Sequence, residues 1–531
     1  MNGLSTIITT YKRNFSLNLL IKDLEKQVFN FPIEVIVINN NLKPIKISSK
    51  LKIKIINNFN KNRCSSRYKI AKSSKHQTIV FLDDDVHLKD RLFLSEFKSF
   101  FDKKTKKDIA SSWCSVFKPN SLEYFSAQGV NFNTSNEESE TDLIGPGISI
   151  FDKSILTKEI ISVPKRFEIA DNVWFSLQTS LVHKTKKYYF PSKNKVGFRK
   201  SHLSPFALYR SSVGKEQKEK SLEHFFNKGY LPIFAKNIKE IKTPIVLIAY
   251  NRPEILEKNL KFIKYLKLSK IYVVCDGPKN KDDKKKTDHV RSLIEKYLDK
   301  ENLVKIYSSK NMGLRKRIVS GLNEVFKKEE SAIILEDDCI ADPSFFKLTE
   351  ELLKKYKNNK NIGSISGSNY LLNNSLVKNS YYFSQYPHSW GWATWKRAWK
   401  LFDNEMSDWE KHWENHSYSS WLVKWYWHLI FSAVNKLKIN SWAYRWTYSC
   451  WKNSLLTIIP QKNLVTNIGV GKNASNTRFK SSILNMNSIS IKFPLIHPKK
   501  IVVNKKLDKI TEKNLYIKPR TIIGALIKLI K

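Results

Sequence analysis

The stretch TIVFLDDDVHL, residues 78–88, runs four apolar residues (Ile79, Val80, Phe81, Leu82) into three adjacent aspartates, Asp83, Asp84 and Asp85. Three like charges at a strand end repel one another and cost stability unless something positive lies beside them. A second stretch, AIILEDDCIAD at 332–342, repeats the pattern. With the acidic ends aligned, Leu82 falls on Leu335, Asp83 on Glu336, Asp84 on Asp337 and Asp85 on Asp338.

The segments upstream of the two acidic ends also match in order. LSTIITTYK, IEVIVINNN, KIKIINNF and TIVFL read as strands, with FSLNLLIKDLEKQVF and NRCSSRYKIAKSS as helices between them. In the second half TPIVLIAYNRP, KIYVVCDGPK, LVKIYSS and AIILEDDCI read as strands, with EILEKNLKFIKYL and NMGLRKRIVSGLNEVFKK as helices. Strands alternating with amphipathic helices predict an α/β chain with mostly parallel, Rossmann-like sheets, here duplicated in tandem. The expected division is 1–235, 243–485 and a C-terminal extension 486–531, and the Lys-rich KNKDDKKKTD (279–288) reads as a solvated turn.

Ligands of open α/β sheets bind outside the carboxyl ends of the strands. Carboxylates gathered there suit a hard cation such as Mg²⁺, which takes oxygen ligands and shares them with substrate phosphates. Because neighbouring strand residues point to opposite sides, Asp83 and Asp85 are expected to face one way and Asp84 the other.

The 531 residues carry 93 Lys and Arg against 48 Asp and Glu, a formal net charge of +45, which suits an anionic partner. The lysines are spread through almost every segment, so a chain-wide compositional bias accounts for them as well. Five dispersed cysteines with no CxxC pair argue against a disulfide framework and against structural zinc, and fit a reducing interior. MNGLSTIITTYKRN leaves no room for a signal peptide, and no apolar run is long enough to span a membrane; a cytoplasmic place is expected. The tail PRTIIGALIKLIK reads either as an amphipathic helix on the anionic inner membrane face or as a closing helix packed on the protein. Twelve of the 14 tryptophans lie between Trp390 and Trp451, as core or as a stacking platform for a sugar ring or base.

STIITTYKR, IEVIVINNN, NRCSSRYKIAKSS and IVFLDDDV together resemble the nucleotide-sugar-binding half of family 2 glycosyltransferases with the GT-A fold. The resemblance implies that Asp83 and Asp85 hold Mn²⁺ or Mg²⁺ against a donor diphosphate, with Asp84 beside them. It places Thr10, Tyr11 and Arg13 near the nucleotide, and Asn39 where the family often has an Asp that contacts the base. GPGISIF (145–151) looks like its acceptor-side loop. RFEIADNVWFSLQ resembles the stretch that supplies a general base to inverting members, with Asp171 first and Glu168 second, and His202 is a candidate late metal ligand.

YNRP, VVCDGPK, NMGLRK, ILEDDCIADPSFF and SWGWATWKRAW, between about 243 and 480, are similar to the branch of N-acetylglucosaminyltransferase I and bacterial proteins of that shape. That likeness implies nucleotide contacts from Arg252 and Asp276 and an acidic signature of Glu336, Asp337 and Asp338, with Asp338 the direct metal ligand. SWGWATW would line the donor-sugar and acceptor region. Relatives tend to have Trp-Asp-Tyr where this chain has Trp442, Ala443 and Tyr444, so the second half is expected to be the less active one, or to recruit another acid such as Asp408. The implied activity is transfer of a hexosyl or N-acetylhexosaminyl group from a nucleotide-sugar to a glycan or lipid-linked acceptor. A nucleotidyltransferase is disfavoured, since the first strand is followed by no glycine-rich loop. A scaffold without activity, or a nucleic-acid binder using charge and tryptophan stacking, is the rival of another class. Since the basic residues are dispersed and the tryptophans clustered, no nucleic acid is expected.

Overall fold

The computed structural model describes residues 3–58, 65–119, 122–145, 147–199, 212–236, 238–372, 374–414, 416–469, 483 and 486–530. The chain divides into two compact units, Met1–Asn237 and Ile238–Lys531.

The first unit is built on an eight-stranded sheet in the order Ile53–Asn57, Ile33–Asn39, Leu4–Thr10, Thr78–Asp83, Ile148–Asp152, Ile109–Ser111, Lys187–Tyr189 and Ser139–Thr141. The first three neighbouring pairs are parallel, the next two antiparallel, then one parallel and one antiparallel. Its central strands are almost wholly buried because both faces are covered. The helix Asn14–Glu25 lays Leu17, Leu20, Ile21 and Leu24 on the sheet, the i, i+3, i+4, i+7 spacing of one helical face.

The second unit repeats that sheet strand for strand. Its order is Leu303–Tyr307, Ile271–Cys275, Ile245–Ala249, Ser331–Glu336, Trp392–Trp395, Ile362–Ser366, Leu456–Pro460 and Tyr381–Ser384, with the same succession of parallel and antiparallel pairs. Even the register agrees: Ile8 lies opposite Leu82, and Leu247 opposite Leu335.

One expectation fails here. The segment 279–288 is not a turn but the beginning of a 17-residue helix, Lys281–Tyr297. The Asn280 side chain accepts from the Asp283 N–H at 2.9 Å, Asp282 and Asp283 sit in the first turn, and Thr287, Val290, Leu293 and Ile294 form the buried face. The lysines are its solvent side.

Most of the clustered tryptophans are core. Trp392, Trp399, Trp442 and Trp446 pack together behind the second sheet, while Trp409, Trp427 and Trp451 join a neighbouring cluster. The tail packs within the second unit. Helix Lys505–Leu515 buries Leu507, Asp508, Thr511 and Glu512, and helix Pro519–Ile530 places Ala525, Leu526 and Leu529 in the cluster formed by helix Trp421–Asn435. No helix among the described residues is long and apolar enough to cross a membrane.

Candidate active site

The strand Thr78–Asp83 ends on the first aspartate, and Asp84 and Asp85 form the following turn. The chain leaving the neighbouring strand, Leu4–Thr10, brings Arg13 over that turn. Its guanidinium bridges Asp84 Oδ1 and Asp85 Oδ2, both at 2.7 Å, and Thr10 Oγ1 donates to Asp84 Oδ2 at 2.7 Å. Burial pushes the Asp84 carboxyl up to about 7, against the pull of Arg13 and Thr10. Strand alternation therefore does not divide these acids as expected. The strand stops at Asp83, so Asp84 and Asp85 turn to the same arginine.

Asp83 has a different partner. Arg67, from helix Ser66–Lys72, reaches Asp83 Oδ1 at 3.5 Å with one nitrogen and Asp171 Oδ2 at 2.7 Å with the other, its guanidinium lying over the Phe81 ring. Tyr68 donates to the same Asp171 oxygen at 3.1 Å. Burial raises the Asp171 carboxyl, and Arg67 opposes the rise. Asp171, at the start of helix Asp171–His183, is thus tied to the acidic strand end by one buried cation. Glu168 is half-buried in the short turn Lys165–Ala170 just before it. Sequence reasoning missed Arg67. Its signal was an arginine beside Tyr68 and Ala71 on a helix face that is otherwise buried.

Gly147, just before strand Ile148–Asp152, has φ +109°, and its carbonyl accepts the Asp83 N–H at 2.9 Å; a Cβ there would meet the Phe198 ring at 2.8 Å. Beyond the first strand end a cavity of about 360 Å³ is lined by Tyr11, Lys12, Asn14, Asn41, Leu42 and Lys43. Asn39 does not open into it. It is fully buried, donating to Lys43 O and Asn57 Oδ1 and accepting from Asn41, so it shapes the loop that forms the cavity wall. His202 lies outside the described residues. Arg199, shortly before it, donates its backbone N–H to Asp85 O at 2.7 Å.

The second unit reproduces the clamp. Arg252, three residues beyond Ile245–Ala249 as Arg13 is beyond Leu4–Thr10, pairs with both Asp337 oxygens and with Asp338 Oδ2 at 2.9 Å. The Ile468 N–H takes Asp338 O at 2.9 Å, as Arg199 does Asp85. Glu336 and Asp337 are both pushed up, by burial and by each other's neighbourhood with Asp338. Here the likeness ends. Asn467 Nδ2 donates to Asp338 Oδ1 at 3.3 Å, and a Cβ on Gly469 would meet Asp338 Oδ2 at 2.2 Å.

Asp276, expected at a nucleotide, accepts from the N–H groups of Gly277, Met312 and Gly313 and from Asn311, so its carboxylate fastens the loop before helix Leu314–Lys328. Ala443 packs beside the tryptophan core, and Asp408 is held ionised, far below the usual carboxylate range, by Tyr448 and Lys452. A carboxylate held that low is a weak proton acceptor. Of SWGWATW, Trp392 and Trp395 are buried in the sheet, and Trp390 is the part-exposed member, edge-on to Tyr370.

The pattern of acids, arginines and strand ends in the first unit coincides with a family match. Residues 5–156 fit the model of glycosyl transferase family 2. The family 2 stretch includes Arg13, Arg67 and Asp83–Asp85 and stops before Asp171. No curated protein matches the chain. Among solved structures, Staphylococcus aureus TarS 1–349 in complex with UDP-GlcNAc is 16% identical with a TM-score of 0.28, covering 56% of this chain and 91% of its own. The mannosyltransferase PcManGT from Pyrobaculum calidifontis, in complex with GDP-Man and Mn²⁺, is 13% identical with a TM-score of 0.24, covering 40% and 70%.

Proposed function

We propose that the chain is a metal-dependent, inverting glycosyltransferase whose first unit carries the reaction. It moves a hexosyl or N-acetylhexosaminyl group from a nucleotide-sugar to a glycan or lipid-linked acceptor in cell-surface polysaccharide synthesis. It works in the cytoplasm, with peripheral contact to the anionic inner membrane face. The observation that carries this reading is the chain Asp83–Arg67–Asp171, which links the acidic strand end of the family 2 stretch to a buried carboxylate.

Among the described residues no group of three or more metal-ligating side chains is assembled. Two carboxylates suffice for a hard cation whose other ligands are substrate phosphates and water, so the donor set fits Mn²⁺ or Mg²⁺ at Asp83 and Asp85. Bound there, the ion supplies charge compensation for a departing nucleoside diphosphate. Arg13 holds Asp85 in place and offsets the buried charge of Asp84. Tyr11 and Lys12 line the space for the nucleotide. Asp171, its proton affinity raised by burial, takes the proton of the attacking acceptor hydroxyl, with Arg67 and Tyr68 fixing its orientation. Glu168 is the alternative base.

The second unit, read as the N-acetylglucosaminyltransferase I-like GT-A domain, binds donor or positions acceptor without comparable turnover. Arg252 holds Asp338 as Arg13 holds Asp85, but Asn467 engages its other oxygen, and Ala443 stands where the resemblance implies a base. The test is a panel of UDP-, GDP-, CMP- and dTDP-sugars with Mn²⁺. Asp85→Ala and Asp171→Asn should each lower turnover by about 10²-fold or more, while Asp338→Ala retains it. Turnover that survives Asp85→Ala and vanishes with Asp338→Ala would overturn the assignment of the units.

A further inference from the structure

Helices Trp421–Asn435 and Pro519–Ile530 pack along one another in the second unit. Their inner faces are accounted for: Tyr426, Leu429, Ile430, Ala433 and Ala525 share one core cluster. Their outer faces are not. Trp421 is 73% exposed and Trp425, one turn on, is 36% exposed; Ile523 and Ile527, again one turn apart, are 54% and 47% exposed. A helix that is apolar on both sides needs a second cover.

Charge identifies the cover. Between 421 and 438 the chain carries Lys424, Lys436 and Lys438, and between 513 and 531 it carries Lys513, Lys518, Arg520, Lys528 and Lys531, with no acidic residue in either stretch. Exposed apolar pairs on two stretches whose only charges are basic suit the boundary of an anionic bilayer. There tryptophan sits at headgroup level and each nearby basic residue adds roughly 1 kcal/mol.

We infer that this pair of helices is the surface by which the protein lies on anionic lipid, with Trp421, Trp425, Ile523 and Ile527 as the inserted side chains. The inference deepens the membrane contact in the preceding proposal and is independent of which sugar is moved. A protein partner would prefer such a face only if it were acidic and apolar at once; a bilayer of acidic lipid is both.

Sedimentation of the full chain with phosphatidylcholine vesicles, with and without phosphatidylglycerol, tests it. The wild type should bind the anionic vesicles and release them at high salt, with a blue shift of tryptophan emission on binding. Trp421→Ala/Trp425→Ala and Ile523→Ser/Ile527→Ser should each reduce the bound fraction by about fivefold or more, as burial of large apolar side chains predicts, and the first should remove most of the blue shift. Equal binding by wild type and both variants, or equal binding to neutral vesicles, overturns the inference. So does light scattering that shows the wild type self-associating through a face the variants lose. Transfer to a soluble acceptor separates the two proposals: variants that lose vesicles but keep transfer support this one, and vesicle binding by a chain inactive with every donor rejects the transferase reading alone.

Discussion

Arg13 and Arg252 each spend one guanidinium on two carboxylates, and in each case one of the two is essentially without solvent. A buried charge stripped of its partner is costly, about 3 kcal/mol or more. Arg13→Met should therefore destabilise the first unit by about that much, read as a lowered unfolding midpoint. Adding Asp84→Asn should restore part of the loss, because the fully buried charge of Asp84 is then gone while Asp85 still lacks its arginine. If the double variant is as unstable as the single one, the clamp is not what Arg13 supplies. At Gly147 the argument is steric. Its left-handed backbone and the Phe198 ring leave no room for a methyl group, so Gly147→Ala should displace Asp83 and lower turnover while secondary structure by circular dichroism stays intact. The acidic triplets were legible at this scale because three neighbouring like charges are conspicuous in any sequence. Arg67 was not, since its two partners lie 16 and 104 positions away and only folding brings them to one cation. Asn39 misled for the opposite reason: its position at a strand end was right, but its side chain is consumed by its own loop.

Among the elements, helix Lys281–Tyr297 shows how a charge run can conceal structure. DDKKK suggests solvent, and Asp282 and the three lysines go there, while Asp283 turns inward to accept from Tyr250 and Asn251. The helix is declared by Asn280 ahead of it and by the later apolar spacing, both visible in the sequence. Asn280→Ala should cost about 1 kcal/mol by removing the cap, measurable as faster amide exchange in the first turn. Unchanged exchange would mean that tertiary packing alone fixes that end. The strands were easier to read. Both central sheets are covered on two faces, so their strands are almost wholly buried and most carry an apolar run bounded by polar residues. The outer strands of the first sheet, Ile109–Ser111, Lys187–Tyr189 and Ser139–Thr141, are three residues long and too short to announce themselves.

For the molecule as a whole, the repeated order of elements told of the duplication before any contact was known, and the matched succession of strand pairings is its geometric form. How the tail closes the second unit was not readable, because that depends on two acids on helix Lys505–Leu515 turning inward. Burial pushes the Asp508 carboxyl up to about 7, with Glu512 adding to the rise. A carboxyl raised above its unfolded value contributes stability that is full below about pH 4 and lost as pH climbs through about 7, on the order of 4 kcal/mol for a shift of this size. The unfolding midpoint should fall over that window, and Asp508→Asn, which keeps the acceptor for the Gln385 N–H, should flatten the slope. An identical slope in the variant would place the titration elsewhere.

The arginine clamps also bear on the order of events after synthesis. In proteins whose acids have no internal counter-ion, the incoming cation is part of the folding reaction, and a chelator undoes both. Here Arg13 and Arg252 are already covalently in place when the strands meet, so each acidic turn can form before any ion or nucleotide arrives. EDTA should abolish turnover yet leave the chain folded, its midpoint lowered by no more than the lost binding free energy, and activity should return on adding Mn²⁺ without refolding. A chain that unfolds at ordinary temperature in the chelator would show that loading and folding are one step. On this account the chain matures as an empty but finished vessel, and its supply of metal governs how many molecules work rather than how many survive.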